Sequence, residues 1–168
     1  MAATDADPRS YPFIASEFPP LPEARFYSPP GLRPSWDRYF MDIANQVSKR
    51  ATCPRRQVGA VIVKDKRMLA TGYNGSPPGL PHCVDDGCWI EDNHCVRVVH
   101  AEVNAVVQGA RYGVPLEGSE CYCTTLPCLG CAKVLVSAGV RRVVYGSDYR
   151  PSEHLDELGL EMEFLSAT

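Results

Sequence analysis

The chain has 168 residues and a formal net charge of −3, which predicts one domain with a sizeable core and argues against a general nucleic-acid-binding surface. No apolar run approaches the length needed to cross a membrane, and the N-terminus lacks the basic and then apolar order of a signal peptide. We therefore expect a cytoplasmic protein. Its eight cysteines then favour metal binding, because disulfide scaffolds are typical of short secreted chains.

Proline dominates the beginning of the chain, and residues 1–34 contain eight of its fifteen prolines. This composition disfavours helices and strands. We therefore predict an extended proline-rich tail over 1–34 and one folded domain over 35–168. Four aromatic residues are candidates for anchoring the tail to the domain or to a neighbouring subunit: Phe13, Phe18, Phe26 and Tyr27.

A helix and a hairpin are predicted next. Ser35 is a candidate N-cap for a helix that runs to about Arg50. The apolar face of this helix is formed by Trp36, Tyr39, Phe40, Ile43, Ala44 and Val47. The segment QVGAVIVKDKRMLATGYN then predicts two strands, over about 57–64 and 67–73, joined by the polar turn Asp65-Lys66.

The second half of the chain alternates helices and strands. HAEVNAVVQGAR, from His100, has apolar positions at helical spacing. A strand-like run over 120–125 leads into a helix over 128–138 that Gly139 closes, and 141–145 reads as another strand. This order predicts a parallel strand pair with a right-handed crossover. A last helix near 152–158 and a weak strand near 161–165 complete a three-layer α/β/α sandwich with a mixed sheet of about five strands.

Two short motifs carry the chemistry: His100-Ala101-Glu102 and, further along, PCLGC at 127–131. Cysteines three positions apart share one face of a helical turn, so Cys128 and Cys131 can both reach a zinc ion at about 2.3 Å. Pro127 suits the first position of a helix, and the positive end of the helix dipole favours thiolates. With His100 these residues predict a zinc site that leaves one coordination position open.

An open zinc position predicts catalysis. Zinc lowers the pKa of a bound water to about 7, and Glu102, which is not needed as a ligand, is suited to take the proton and return it to the substrate. H-x-E followed by P-C-x-x-C is the pattern of the zinc nucleobase deaminases. A structural zinc site is the alternative, and a CxxC pair alone is also typical of redox sites.

A second group of cysteines lies between the hairpin and the His100 helix, in the segment PHCVDDGCWIEDNHCVRVV. Four thiolates would make a closed structural zinc site that holds this polar insertion together. The preferred ligands are Cys53, Cys83, Cys88 and Cys95. His82 or His94 is an alternative to one of them, and buried or free cysteines are the alternative to a metal. Cys121 and Cys123 lie in an apolar strand, where we expect small core residues.

The segments TCPRRQVGAVIVKDKRMLATGYNGSP, VHAEVNA and TTLPCLGCAK closely resemble deoxycytidylate (dCMP) deaminases, particularly the type encoded in bacterial late-competence operons, over roughly residues 35–165. The resemblance implies a cytidine-deaminase-like fold, a homo-oligomer that is often a hexamer, and conversion of dCMP to dUMP and ammonia. A zinc hydroxide would attack C4, with Glu102 as proton shuttle. Many members are activated by dCTP with Mg²⁺ and inhibited by dTTP, through a region that includes the loop at 72–75.

The resemblance also implies substrate contacts. Asn74 should contact the base or sugar, Arg55 the 5′-phosphate, and Tyr149 should lie near the nucleotide. Ala101, inside the first motif, and Thr125, two positions before Pro127, are further candidates. Arg55 belongs to a group of four cations within eight residues: Lys49, Arg50, Arg55 and Arg56.

Other functions share part of this pattern. A deaminase of adenosine in transfer RNA would need a broader basic surface, a free-nucleoside deaminase would not need the cations near Arg55, and the riboflavin-pathway deaminase usually carries a reductase domain. A non-catalytic zinc- or nucleotide-binding protein is the alternative from another class, but neither folding nor zinc binding requires Glu102. We therefore expect a small nucleotide as the ligand, and neither nucleic acid nor membrane.

Overall fold

A computed structural model describes residues 33–150 and 152–166 of the protein. The prediction of an extended tail over 1–34 therefore falls almost entirely outside the described residues. The helices are α1 (Trp36–Ser48), α2 (Cys83–Asp86), α3 (Ala101–Tyr112) and α4 (Leu129–Ser137). The strands are β1 (Gly59–Lys64), β2 (Arg67–Tyr73), β3 (Ile90–Glu91), β4 (His94–Cys95), β5 (Glu120–Cys123), β6 (Arg142–Tyr145) and β7 (Glu161–Phe164). None of these helices is long and apolar enough to span a membrane.

Five strands form one mixed sheet in the order β2-β1-β5-β6-β7. β1 is antiparallel to β2 and to β5, whereas β5, β6 and β7 are parallel. The predicted hairpin is confirmed, and its turn residues Asp65 and Lys66 have φ angles of 50° and 61°, as a two-residue turn between twisted strands requires. The predicted mixed sheet of about five strands is also confirmed.

Side chains alternate between the two faces of the sheet and create three layers. One face packs against α3 and α4 through residues of β1, β5 and β6, namely Ala60, Ile62, Cys121, Cys123 and Val143. The other face packs against α1 through Val61, Val63, Tyr122 and Val144. Cys121 and Cys123 are fully buried in the first layer, so their prediction as small core residues is confirmed. The α/β/α sandwich follows from this two-sided burial.

Two helix starts differ in how well the sequence predicted them. Ser35 is the N-cap of α1, and its hydroxyl accepts a hydrogen bond from the Arg38 N–H at 3.2 Å. The placement of Pro127 at the first helical position is wrong, because Cys128 is the N-cap of α4 and has extended backbone angles. Pro127 therefore lies outside the helix, and Cys131, but not Cys128, lies within its first turn.

The predicted helix near 152–158 is also wrong. Only one 3-10 turn forms, at Asp156–Leu158, and Gly159 ends it with a φ of 63°. Leu155 is the buried residue of this segment, and one apolar anchor does not define the continuous face that a longer helix needs. The predicted final strand does form, as β7 beside β6.

Candidate active site

The first cysteine pair and the histidine meet where two helices begin. His100 is the N-cap of α3 and Cys128 the N-cap of α4. The His100 Nδ1 atom lies 3.3 Å from Cys131 Sγ and 3.6 Å from Cys128 Sγ. All three ligand atoms lie within 4.8 Å of one another. We call these residues the three-ligand cluster.

Close packing of α3 on the sheet positions His100. A Cβ added at Gly72 of β2 would overlap the carbonyl of Ala101 and the backbone nitrogen of Ala105. The Asn104 side chain donates hydrogen bonds to the carbonyls of Tyr73 at 2.8 Å and Val99 at 3.4 Å. The start of α3 is therefore held against the end of β2 without intervening side-chain volume.

The three-ligand cluster fits a tetrahedral zinc ion. Zinc–sulfur distances of about 2.3 Å and zinc–nitrogen distances of about 2.1 Å place nitrogen and sulfur ligands roughly 3.6 Å apart. The two observed nitrogen–sulfur distances are 3.3 and 3.6 Å. One imidazole and two thiolates are also the donor types that zinc prefers.

The charge of the cluster favours metal binding. Hydrogen bonds from the Cys131 thiol and the His100 ring lower the pKa of Cys128 to about 3. The hydrogen bond with Cys128 raises the pKa of His100, and the hydrogen bond between Cys131 and Cys128 raises the pKa of Cys131. These contacts favour the thiolate form of Cys128, which is the form in which a cysteine binds zinc.

Glu102 lies in the first turn of α3 and is buried, with 4% of its surface exposed. Burial raises the pKa of its carboxyl group, because the charged form loses its hydration. The side chain lines the same cavity as His100 and Cys128 but is not part of the three-ligand cluster. It is thus placed to exchange protons with a ligand in that cavity.

The cavity has a volume of about 260 Å³. Besides His100, Glu102 and Cys128, it is lined by every residue that the sequence proposed for substrate binding: Arg55, Asn74, Ala101, Thr125 and Tyr149. Lys49 and Arg50, the other members of the predicted cationic group, are not among its lining residues. The tertiary fold therefore separates the basic segment into a cavity-facing part and a remote part.

Asn74 has a structural task in addition to any ligand contact. Its amide nitrogen donates to the Arg56 carbonyl at 2.8 Å, and its amide oxygen accepts from the Val58 N–H at 2.8 Å. An amide has two N–H groups and two acceptor lone pairs. One of each therefore remains for a ligand, and the side chain is already oriented by the backbone around it.

Three arginines line the cavity: Arg55, Arg56 and Arg150. Arg55 donates to the Asn93 carbonyl at 2.9 Å and to its side-chain oxygen at 3.2 Å, while Arg56 lies over the Tyr149 ring at 4.8 Å. Arg150 donates to the His94 ring. Within residues 33–150 and 152–166, none of the three arginines forms a salt bridge with a carboxylate. Their positive charge is therefore available to an anion.

The second group of cysteines forms another cluster. Cys53, Cys83, Cys88 and Cys95 have their sulfur atoms within 4.8 Å of one another, including contacts of 3.8 Å for Cys53–Cys88 and 3.5 Å for Cys83–Cys95. We call it the four-cysteine cluster. The alternative ligands His82 and His94 are not part of it.

The thiols of the four-cysteine cluster differ in acidity. Burial raises the pKa of Cys83 well above its ordinary value. Burial also opposes ionisation of Cys95, but hydrogen bonds from the Arg97 N–H and from neighbouring thiols lower its pKa to about 7. A metal ion must therefore displace protons here before it binds.

Comparison with known proteins identifies the family. Residues 34–147 match the profile of the cytidine and deoxycytidylate deaminase zinc-binding region. The chain belongs to this deaminase family. It is 48% identical over 126 residues to ComE operon protein 2 of Bacillus subtilis (strain 168), covering 75% of this chain and 67% of that protein. It is also 41% identical over 130 residues to the deoxycytidylate deaminase of Saccharomyces cerevisiae, covering 74% of this chain and 41% of that enzyme.

A solved structure shares the fold. The dCMP deaminase of the cyanophage S-TIM5, determined in complex with dCMP and dUMP, superimposes with a TM-score of 0.70 at 37% identity. The match covers 80% of this chain and 99% of the phage chain. The fold of this deaminase family member is therefore the cytidine-deaminase-like sandwich, and its three-ligand cluster belongs to the zinc-binding region of the family.

Sequence reasoning missed several lining residues of this deaminase: Arg56 as an individual contact, Asn93, His94 as a cavity residue, and Arg150. Arg150 directly follows the predicted Tyr149, and Arg56 directly follows Arg55, so both were adjacent to a correct position. Asn93 and His94 lie in the cysteine-rich insertion, and no pattern in the sequence places that insertion beside the cavity.

Proposed function

We propose that the protein deaminates dCMP hydrolytically, so that dCMP and water give dUMP and ammonia. The observation that carries this proposal is one cavity lined by His100 and Cys128 of the three-ligand cluster, by the buried Glu102 and by three arginines. None of these arginines pairs with a carboxylate within the part of the chain that the structure describes. Zinc chemistry and proton transfer suit the cytosine ring, and the cations suit a phosphate. The relatives named above as dCMP deaminases support the same substrate.

Glu102 performs the proton transfers in this proposal. When bound by His100, Cys128 and Cys131, zinc supplies a nucleophile from water at neutral pH. Glu102 would take one proton from the water and deliver it to N3 of the ring as the C4–O bond forms. It would then move the remaining proton, from the new C4 hydroxyl, to the amino group, so that the C4–N bond breaks, ammonia leaves and the C4 carbonyl of dUMP forms. Because the carboxylate is buried, its proton returns to the ligand and not to bulk water.

The base is held by groups that present both donors and acceptors. Asn74 retains one N–H and one lone pair, and the Ala101 N–H has no partner inside its helix, because it belongs to the first residue of α3. The Thr125 hydroxyl is buried and lies 3.3 Å from the Ser147 hydroxyl. These groups match the mixed donor and acceptor edge of cytosine and the sugar hydroxyl.

The 5′-phosphate is recognised by Arg55, with Arg56 and Arg150 beside it. A guanidinium group forms paired, charge-assisted hydrogen bonds to phosphate oxygens. Two N–H groups of Arg55 Nη2 are used by Asn93, and its remaining nitrogens have no hydrogen-bond partner among the described residues. A nucleotide is thus preferred over the free nucleoside.

The four-cysteine cluster binds a second, structural zinc ion in this proposal. Support comes from four sulfur atoms within 4.8 Å of one another, a donor set and spacing typical of closed zinc sites. Elemental analysis of the purified protein is expected to give two zinc ions per chain. One zinc ion per chain, retained after all four cysteines are replaced by serine, would contradict the second site.

We also propose a homo-oligomer, with a hexamer favoured, and regulation by dCTP with Mg²⁺ and by dTTP. Three exposed side chains offer apolar surface to further subunits: Val107, Tyr112 and Trp89. The 72–75 loop, which includes Asn74, connects the end of β2 to the cavity and is the region proposed for regulation. Light scattering at several protein concentrations tests the oligomer, and activity with each nucleotide tests the regulation.

A cytoplasmic location is also proposed, because the eight free thiols suit a reducing compartment.

The deciding experiment measures ammonia release from dCMP, deoxycytidine and CMP by the zinc-loaded protein, with and without dCTP and Mg²⁺. Turnover of dCMP in large excess over deoxycytidine is expected, with loss of activity in Glu102→Ala and retention in Glu117→Ala, an exposed residue paired with Arg141. Equal turnover of deoxycytidine would contradict the phosphate assignment. No turnover of any of the three would contradict the proposed reaction.

A further inference from the structure

A small hairpin of β3 and β4 forms one wall of the active-site cavity. Its residues Asn93, His94 and Cys95 line the cavity. The strands contain two residues each and pair only through Ile90 with Cys95 and Glu91 with His94. A two-stranded hairpin of this size is not stable by itself in water, so other contacts must hold this wall in place.

The four-cysteine cluster supplies those contacts. Cys88 precedes the hairpin and Cys95 belongs to it, whereas Cys83 begins α2 and Cys53 precedes β1. The Val84 N–H donates to the Thr52 carbonyl at 3.2 Å, which ties α2 to the segment before β1. The cluster therefore joins the hairpin to the main domain at the base of the cavity wall.

The tip of the hairpin touches the proposed phosphate-binding residues. Arg55 lies two positions after Cys53 and donates to the carbonyl and side-chain oxygens of Asn93. Asn93 in turn lies two positions before Cys95, so each partner of this contact is close in sequence to a cysteine of the cluster. If the hairpin moved, Arg55 would lose the two acceptors that orient its guanidinium group.

A second contact runs through His94. Arg150 can only donate, so the His94 Nε2 atom accepts its hydrogen bond. The proton of the ring then lies on Nδ1, which donates to the Tyr149 hydroxyl 3.3 Å away. The hydroxyl proton of Tyr149 is left free to point to a ligand. His94, next to Cys95, therefore orients two cavity groups at once.

We propose that a metal ion in the four-cysteine cluster sets the affinity of the cavity for the phosphate of its nucleotide, because it holds Asn93 and His94 where they position Arg55, Tyr149 and Arg150. Asn93 and His94 are positioning residues in this scheme. The inference rests on the proposed function for the nature of the ligand and on the proposed second metal site. It assigns to that site a role in specificity in addition to stability.

The test uses Cys88→Ser in the full chain, because Cys88 is the cluster residue of the hairpin segment that does not line the cavity. Metal content per chain is expected to fall from two to one, and amide hydrogen exchange should accelerate over residues 88–98. Calorimetry should show that binding of dUMP weakens by about tenfold or more, whereas binding of deoxyuridine, which has no phosphate, stays within about twofold. The KM for dCMP should rise by a larger factor than kcat falls.

Two outcomes would overturn the inference. One is unchanged dUMP affinity after the second metal is lost. The other is an equal loss of affinity for dUMP and deoxyuridine, which would indicate general loosening of the cavity. If the wild-type protein binds dUMP more tightly than deoxyuridine but releases no ammonia from dCMP, the proposed reaction fails while the coupling is still decided by the binding data.

A matched pair of variants that leaves all thiols intact tests the positioning role of Asn93 even if Cys88→Ser does not fold. Asp92 and Asn93 occupy the same turn, both with positive φ angles of 46° and 61°, so glycine is tolerated at either position. Asn93→Gly removes one acceptor of Arg55 and is expected to weaken dUMP binding about threefold. Asp92→Gly should not weaken it. Equal effects of the two substitutions would overturn the positioning role of Asn93.

Discussion

The two cysteine clusters have similar ligands but different supports. The three-ligand cluster is held at the starts of α3 and α4, whose residues Ala101, Ala105 and Leu135 are fully buried. The four-cysteine cluster is held by loops, a four-residue helix and strands of two residues. Its segment exposes about half or more of the side chains of Val84, Trp89 and Ile90.

This difference indicates which cluster would need a bound metal ion to stabilise the segments that carry it. Apolar burial stabilises the elements that carry the three-ligand cluster whether or not zinc is bound. The cysteine-rich insertion buries little apolar surface, so the proposed second metal ion is expected to supply much of its stability. The three-ligand cluster leaves one zinc coordination position open, and we call it the open cluster; it is expected to govern the reaction. The four-cysteine cluster leaves none, and we call it the closed cluster; it is expected to stabilise the fold around it.

The largest expected effect follows from removing a ligand of the open cluster. His100→Ala should lower the deamination rate by roughly 10³-fold or more, since several kcal/mol of the barrier depend on the metal. Thermal unfolding should shift by only a few degrees, about 3 °C. The control is His154→Ala, at an exposed histidine that contacts Glu157, and it should retain activity. A collapse of thermal stability in His100→Ala would remove the distinction between the clusters.

A cysteine substitution in the closed cluster should act on stability instead. Cys83→Ser is expected to lower the free energy of unfolding by about 3 kcal/mol or more, or roughly 10 °C in melting temperature. The matched control is Cys128→Ser, because Cys128 is an N-cap and serine is favoured at that position. It should abolish activity with little loss of stability. Equal destabilisation by both substitutions, measured by calorimetry, would contradict the comparison.

A backbone contact tests how the open cluster is positioned. Gly72→Ala would force α3 to shift, since the new Cβ overlaps the Ala101 carbonyl. We expect a loss of about 1–3 kcal/mol in stability and up to about 10²-fold in kcat, with metal in the closed cluster unchanged. Gly130→Ala is the control, because its Cβ would meet only Cys128 Sγ, at 3.9 Å. Unaltered activity in Gly72→Ala would show that α3 is not held by this contact.

The smallest expected effect concerns the response of the fold to acid. The Arg142 guanidinium donates to Asp37 and holds the pKa of that carboxyl below its ordinary value of 3.8. A lowered folded-state pKa stabilises the protein above pH 4, and this contribution is lost as the pH falls through the folded-state pKa. Asp37→Asn should therefore cost about 1 kcal/mol at pH 7, a difference that shrinks as the pH falls below the ordinary carboxyl pKa of 3.8.

Urea unfolding at pH 7, 5 and 3 measures this difference. Asp42→Asn is the control on the same helix, because its carboxylate is exposed and lies 3.9 Å from Arg38. A difference between Asp37→Asn and wild type that grows on acidification would contradict the assigned sign.

Local patterns were sufficient for most regular elements. The continuous apolar run of β1 and the polar turn Asp65-Lys66 predicted the hairpin, and Ser35 predicted the start of α1. The end of the chain was less predictable, because near 152–158 one buried leucine and Gly159 decide between a helix and a single turn. Cys128 as N-cap was also unforeseen, since the proline before it is equally compatible with a start one or two residues earlier.

The sequence by itself determined which residues are proposed to carry the chemistry of this protein. His100, Glu102, Cys128 and Cys131 are recognisable because zinc ligation and proton transfer demand particular residue types at short spacings. Only the tertiary structure decided which cations share the cavity with them. The cysteine-rich insertion packs against the segment before β1 and the segment after β6, and this packing brings together Arg55, Arg56 and Arg150. Contacts between residues that are so distant along the chain leave no periodic pattern in the sequence.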